Sequence, residues 1–167
     1  ALGRGTEPGV EIGPLIDEKA VAKASELVAD AVRRGATVRT GGAVPEGEGT
    51  FYEPTVLVDV PASADIMREE IFGPVLAIAS FTSEAEAVRL ANDTEYGLVS
   101  YVFTQDLARG YRMIDLLETG MMGPNVGVVS NAAAPFGGVK QSGVGREGGA
   151  EGIHEYLSTK YTLIPVD

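Results

Sequence analysis

The stretch Gly120 to Gly149 restricts the fold of this chain more than any other. It opens as an apolar run, Met121 to Val129, and turns irregular at Ser130, Asn131 and Pro135. It closes with six glycines in thirteen residues: Gly137, Gly138, Gly143, Gly145, Gly148 and Gly149. Glycine at that density costs backbone entropy, which a folded chain accepts where it turns tightly or lets another group come very close. Ser130, Asn131, Phe136, Lys140, Gln141 and Arg146 sit among these glycines, and long loops inside domains are disproportionately functional. The stretch therefore reads as a site rather than a linker. Gly143-Val144-Gly145-Arg146-Glu147-Gly148 also fits G-x-G-x-x-G, but Gly138 to Ser142 before it is no strand, and no complete βαβ unit fits between it and Asp167. It is not a dinucleotide fingerprint.

With 167 residues, 44% hydrophobic and 22% charged, the chain has the length and composition of a globular domain with a real core. Its net charge of -11 disfavours nucleic acid and anionic membranes as partners. No apolar run approaches the span of a bilayer. Without cysteine it has no disulfide, thiolate metal site or cysteine nucleophile, and no metal site is expected. A cytoplasmic location is the expectation. The chain starts at Ala1 rather than Met, and Ala1 to Gly13 is thin in apolar residues, as expected of a fragment or processed product.

Apolar residues recur at three and four from Asp17 to Arg34, predicting a helix that Gly35 terminates. Ala36 to Thr40 and Phe51 to Val60 read as extended, with Pro54 marking an edge or a strand start. Val75 to Phe81 is a nearly continuous apolar run, predicted to be a strand buried on both faces. Ser83 with Glu86 forms a capping box for a helix to about Asn92. Leu98 to Phe103 is the next strand. Asp106 caps a helix to Glu118 with Leu107, Tyr111, Ile114 and Leu117 inward, and Met121 to Val129 is the third strand. This alternation predicts an α/β fold, a largely parallel sheet flanked by helices. A last helix, Gly149 to Tyr156, leads into a weakly alternating tail from Leu157.

Several residues have chemistry to offer. Glu69 and Glu70 are adjacent, so they do not share a face and at most one of them lines a site. A solvated charge pair is the plain alternative. Phe72-Gly73-Pro74 is a rigid turn that would hold a preceding carboxylate in place, where it accepts hydrogen bonds from ligand hydroxyls. Ser130 follows a predicted parallel strand, where sites in α/β sheets gather; a local Ser130-Asn131 turn explains it equally well. No G-x-S-x-G surrounds it, so it is a poor nucleophile. The single histidine, His154, falls on the last predicted helix and reads as a surface or packing residue. Asn92-Asp93-Thr94 matches a glycosylation sequon, with nothing else to suggest secretion.

Taken together, Glu69-Glu70-Ile71-Phe72-Gly73-Pro74-Val75, Ala91-Asn92-Asp93-Thr94-Glu95-Tyr96-Gly97-Leu98 and Pro135-Phe136-Gly137-Gly138-Val139-Lys140-Gln141-Ser142-Gly143 with Gly145-Arg146-Glu147 resemble the C-terminal half of an aldehyde dehydrogenase. Ile12-Gly13-Pro14-Leu15 and Phe51-Tyr52-Glu53-Pro54-Thr55-Val56-Leu57 fit in the same order, so the resemblance covers almost the whole chain. Asn125 to Asn131 and Gly152 to Leu157 look most like the succinate-semialdehyde dehydrogenases.

The resemblance implies an enzyme that oxidises a small-molecule aldehyde with NAD or NADP through a cysteine thioester. It implies that Glu70 bonds the nicotinamide-ribose hydroxyls and that Phe72 packs near the nicotinamide. Phe136 would line the aldehyde pocket and Ser130 would bind the carboxylate of succinic semialdehyde. Residues 1–156 would be part of the catalytic domain, and 157–167 an oligomerisation strand of a homo-oligomer. The family's nucleophilic cysteine, general-base glutamate, oxyanion-hole asparagine and Rossmann domain lie upstream of the matched region and are absent here. No catalytic residue is therefore expected in this chain, and no tight cofactor binding by it alone. The tail Tyr156-Leu157-Ser158-Thr159-Lys160 lacks the glutamate of the family's Tyr-x-Glu-x-Lys, and Val126 stands where close relatives often have glutamate. A rival expectation is a non-catalytic, stand-alone assembly module of the same fold.

Overall fold

The computed structural model describes residues 1–165. The chain divides into two units, Ala1–Thr82 and Ser83–Asp167.

The first unit is built on helix α1, Glu18–Arg33. The Asp17 side chain caps its start by accepting from the Ala20 N–H at 2.8 Å. Glu18 and Arg33 complement the dipole at its two ends, and Gly35, at φ 114°, turns the chain out of the helix. Strands β1 (Thr37–Thr40), β2 (Thr55–Val58) and β3 (Val75–Ala77) form one sheet in the order β1-β2-β3. The β1–β2 pair is antiparallel and the β2–β3 pair parallel. Ala24, Leu27, Val28 and Ala31 of α1 bury against Tyr52, Leu57, Val60 and Ile66. That apolar burial is the main driving force for this unit.

A buried carboxylate ties α1 to the short 3-10 turn Asp65–Met67. Asp30, 8% exposed, accepts from the Asp65 N–H at 3.0 Å and from Arg34 Nε at 2.8 and 2.9 Å. The Asp65 N–H, and after it the Arg34 guanidinium, hold its carboxyl below the usual range despite the opposing effect of burial.

The run Val75 to Phe81 departs from expectation. Only Val75–Ala77 form a strand, at the edge of the sheet, and Ile78 adds bonds to Leu57 O and from the Val60 N–H at 2.9 and 3.1 Å. Val75 and Ala77 pack on the core, while Leu76, Ile78 and Phe81 are exposed. Within this unit α1 supplies apolar cover for one face of the strand only, and the period of two sends Leu76 and Ile78 away from it, while Phe81 lies beyond the strand's end at Ala77.

The second unit contains α2 (Glu84–Asn92), β4 (Tyr96–Gly97), β5 (Val99–Val102), α3 (Leu107–Leu116), β6 (Met121–Pro124), β7 (Val139–Lys140) and a 3-10 turn, Glu151–Tyr156. The β5–β6 pair is parallel, from Val99↔Met121 to Val102↔Pro124, and β4–β7 is antiparallel. The Ser83 half of the predicted capping box is present: Ser83 Oγ accepts from the Glu86 N–H at 3.2 Å. Asp106 caps α3 through the Arg109 N–H at 3.1 Å. The α/β class stands, with the strands divided over three small sheets rather than joined in one.

Helices α2 and α3 are fastened side by side at both ends. Near their starts, Glu84 accepts from Arg109 Nε at 3.0 Å and from Arg112 Nε and Nη2 at 2.7 and 2.8 Å. At their ends, the Asn92 amide donates to Leu116 O at 2.8 Å and accepts from the Glu118 N–H at 3.0 Å. The sequon asparagine is thus committed to the backbone of the neighbouring helix.

Three expectations for this unit are corrected. The α3 stripe Leu107, Tyr111 and Ile114 is exposed, at 75%, 64% and 44%; Gly110 and Met113 are the buried positions, because that adjacent face is the one set inward. Strand β6 stops at Pro124 instead of Val129, since Asn125 adopts φ 53° and its amide clasps Thr104 N–H and C=O at 2.8 and 2.9 Å. The last helix is a 3-10 turn. Residues 157–165 have no strand partner among the described residues; Val166 and Asp167, the end of the expected oligomerisation strand, lie outside them. No helix among the described residues is long and apolar enough to cross a membrane.

Arg112 and Arg109 pull the Glu84 carboxyl down to about 2. A carboxylate depressed on folding contributes stability that is complete above its ordinary range and is lost as pH falls toward the folded value. Urea unfolding of the wild type should therefore weaken more steeply than that of Glu84→Gln as pH drops from about 4.5 to about 2. Equal slopes would show that the clamp does not contribute.

Candidate functional site

The glycine-rich stretch is neither a linker nor an open loop. Phe136 N–H donates to Glu147 O, and Glu147 N–H to Phe136 O, each at 2.7 Å. This two-residue antiparallel bridge closes residues 137–146 into a loop. Arg146 lies across that loop, with Nη1 donating to Gly138 O at 2.7 Å and to Gly145 O at 2.8 Å. Further along, β7 pairs with β4, Gln141 N–H donates to Glu95 O at 2.9 Å, and Ser142 Oγ accepts from the Gly97 N–H at 3.0 Å.

The glycines make this closure sterically possible. Gly120 N–H donates to Gly97 O at 3.0 Å, and a Cβ on Gly120 would fall onto Gly137 O and within 2.8 Å of Gly138 Cα. A Cβ on Gly97 would lie 2.6 Å from Glu118 O. Three backbone segments thus meet where no side chain fits. Phe136, partly exposed, lines a cavity of about 350 Å3 together with Leu98, Arg146 and Glu155.

Ser130 is placed differently from the expectation that set it at a strand end. It is exposed and lies six residues beyond the last residue of β6. The local turn belongs to its neighbour: Asn131 Oδ1 accepts from the Ala133 N–H at 2.9 Å, and Asn131 O from the Ala134 N–H at 3.0 Å.

In the first unit the two adjacent glutamates part company. Glu69 faces Lys23 Nζ at 3.5 Å as a solvated pair, while Glu70 lines a cleft of about 100 Å3 with Ile71 and Phe72 against Ala20, Lys23 and Ala24 of α1. Gly73 N–H donates to Ile71 O at 2.8 Å and Val75 N–H to Gly73 O at 2.9 Å. These consecutive tight turns hold Phe72-Gly73-Pro74, and Phe72 stands 78% exposed. His154 is exposed on the last 3-10 turn. No group of three or more His, Cys, Asp or Glu among the described residues is arranged to hold a metal ion.

Sequence reasoning did not pick out Lys140 or Ser142 as structural partners of this site. Their partners are Asn92, Thr94, Gly97 and Glu118, far away in sequence and without any periodic signal.

These features define an α/β domain whose glycine-rich loop carries an aromatic side chain to a cavity. The model described as the aldehyde dehydrogenase family matches residues 1–162, and the chain belongs to that family. It is 54% identical over 161 residues to a succinate-semialdehyde dehydrogenase of Paenarthrobacter nicotinovorans, covering 96% of this chain and 36% of the relative. It is 53% identical over 163 residues to a glutarate-semialdehyde dehydrogenase of Pseudomonas aeruginosa, covering 98% of this chain and 34% of the relative. A solved structure of an NADP-dependent enzyme of Escherichia coli superposes with a TM-score of 0.95 at 51% identity, covering 99% of this chain and 34% of that one. The chain spans about a third of the length of these relatives.

The close approach at Gly120 carries a direct consequence. Gly120→Ala should destabilise this chain by about 1–3 kcal/mol through overpacking, whereas Gly127→Ala, at a position with open space around it, should change thermal unfolding little. Equal melting temperatures for the two variants would contradict the backbone packing described.

Proposed function

We propose that this chain is the C-terminal portion of an NAD(P)+-dependent aldehyde dehydrogenase that oxidises succinic semialdehyde to succinate. The cysteine that forms the thioester lies outside the chain. The observation that carries this reading is the 54% identity, over nearly the whole chain, to a protein named for that substrate. The glutarate-semialdehyde relative, at almost the same identity, supports a substrate with an aldehyde at one end and a carboxylate at the other.

In this reading Ser130, exposed on the 125–135 segment, donates its hydroxyl to the substrate carboxylate. Phe136 supplies an apolar wall. Glu70 accepts hydrogen bonds from the nicotinamide-ribose hydroxyls, with Phe72 packed beside the ring. An exposed carboxylate and an exposed aromatic ring on a rigid turn fit those two roles. NAD(P)+ supplies hydride acceptance when bound. With no Rossmann domain, the chain alone holds it weakly. The tail from Leu157 joins a sheet in a homo-oligomer; Leu157, Tyr161, Leu163 and Ile164 are exposed, which supports a partner there. The enzyme works in the cytoplasm.

Two outcomes test the reading. The purified 167-residue chain, its length verified by intact mass, should form no NAD(P)H with succinic semialdehyde, because a hydroxyl is a far weaker nucleophile than a thiolate at neutral pH. Turnover by it would overturn the absent-nucleophile argument. In the complete enzyme, Ser130→Ala should raise KM for succinic semialdehyde more than for an uncharged aldehyde, through the loss of roughly 1–3 kcal/mol of charge-assisted hydrogen bonding. Equal effects on both substrates would remove the carboxylate role.

A further inference from the structure

Lys140 is the one residue of the glycine-rich stretch that adopts the left-handed conformation without being Gly or Asn: its φ is 55°. A non-glycine residue there carries a backbone cost, and when it also bears a long charged side chain the side chain is the place to look for compensation. The Lys140 ammonium makes three contacts. Nζ lies 2.6 Å from Glu118 Oε2, and donates to Asn92 O at 3.1 Å and to Thr94 O at 3.3 Å. Asn92 is the last residue of α2, so the ammonium sits at the negative end of that helix, where carbonyls lack partners and a cation is favoured. Glu118 follows the end of α3. Lys140 therefore ties the ends of both helices to the strand β7 from which it projects. Only Gly137, Gly138 and Val139 separate Phe136 from it, and Phe136 is anchored on its other side by the bridge to Glu147.

We propose that Lys140 is a positioning residue. Its ammonium fixes the exit of the 136–140 segment and so sets where Phe136 stands in the cavity. This rests on the reading of Phe136 as the wall of the aldehyde pocket. It explains why lysine occupies a backbone position that glycine, abundant in the adjoining sequence, would fill without strain. A glycine there would satisfy the turn but leave the segment free to shift on the two helix ends.

The test uses the complete enzyme and five variants. Lys140→Gly relieves the backbone strain and removes only the tether. It should keep the melting temperature near the wild-type value, leave KM for the nucleotide unchanged, and raise KM for the aldehyde roughly tenfold, less than the roughly hundredfold that a 1 Å misplacement can cost. Lys140→Arg, which keeps the charge, should recover most of that loss. Phe136→Ala should raise the aldehyde KM on its own, and adding Lys140→Gly to it should add little, because the two changes act through one side chain. If Phe136→Ala raises the aldehyde KM and Lys140→Gly does not, the positioning role is overturned while the pocket reading stands. If Phe136→Ala leaves it unchanged, the pocket reading falls and the proposal falls with it. Should Lys140→Gly fail to fold, Glu118→Gln weakens the same tether from its other end. It should raise the aldehyde KM in the same direction by a smaller factor, and an unchanged KM there overturns the proposal.

Discussion

Backbone segments from three parts of the sequence meet at Gly97, Gly120 and Gly137–Gly138, and nothing larger than hydrogen fits between them. The second unit depends on this approach. It lets β4 and β7 pair, brings Arg146 under the carbonyls of the loop, and places Phe136 at the cavity edge. The entropy that each glycine gives up on folding is offset by hydrogen bonds that a bulkier residue would block.

The two units stabilise themselves by different means. The first has a conventional core, with Leu57 and Ala31 fully buried and the Asp30 carboxylate satisfied by Asp65 and Arg34. In the second, Met113 is the one buried apolar side chain among the described residues. Polar clasps take over there: Glu84 with two arginines, Asn92 across the helix ends, Asn125 on Thr104, and Lys140 on Glu118. The exposed apolar stripe of α3 belongs with this pattern, since no described residue of the second unit covers it.

Local signals were legible in the sequence. Asp17, Ser83 and Asp106 mark helix starts because a cap is a contact between residues three apart. Gly35 marks a helix end for a similarly local reason. The separation of Glu69 from Glu70 followed from adjacency alone. Long-range facts were not legible. The facing of α3 depends on which neighbour it meets, and three apolar residues at helical spacing do not specify that neighbour. Nor did the apolar run to Val129 disclose that Asn125 would leave the strand to clasp Thr104, twenty-one positions earlier. For the site, the motif order gave the family and singled out Phe136, Glu70 and Phe72; Lys140 stood out only as one polar residue among the glycines, and its contacts emerged once its partners forty-six and forty-eight residues away were in place.

A unit with so little buried hydrocarbon also differs in how it breathes. Backbone amides of α1 and β2 lie against a packed core, and their exposure to solvent requires that core to come apart. The amides of the glycine-rich loop are guarded by individual hydrogen bonds and ion pairs, each of which opens at modest cost without disturbing its neighbours. Amide exchange by local opening is therefore expected to be faster in the glycine-rich loop than in α1 and β2.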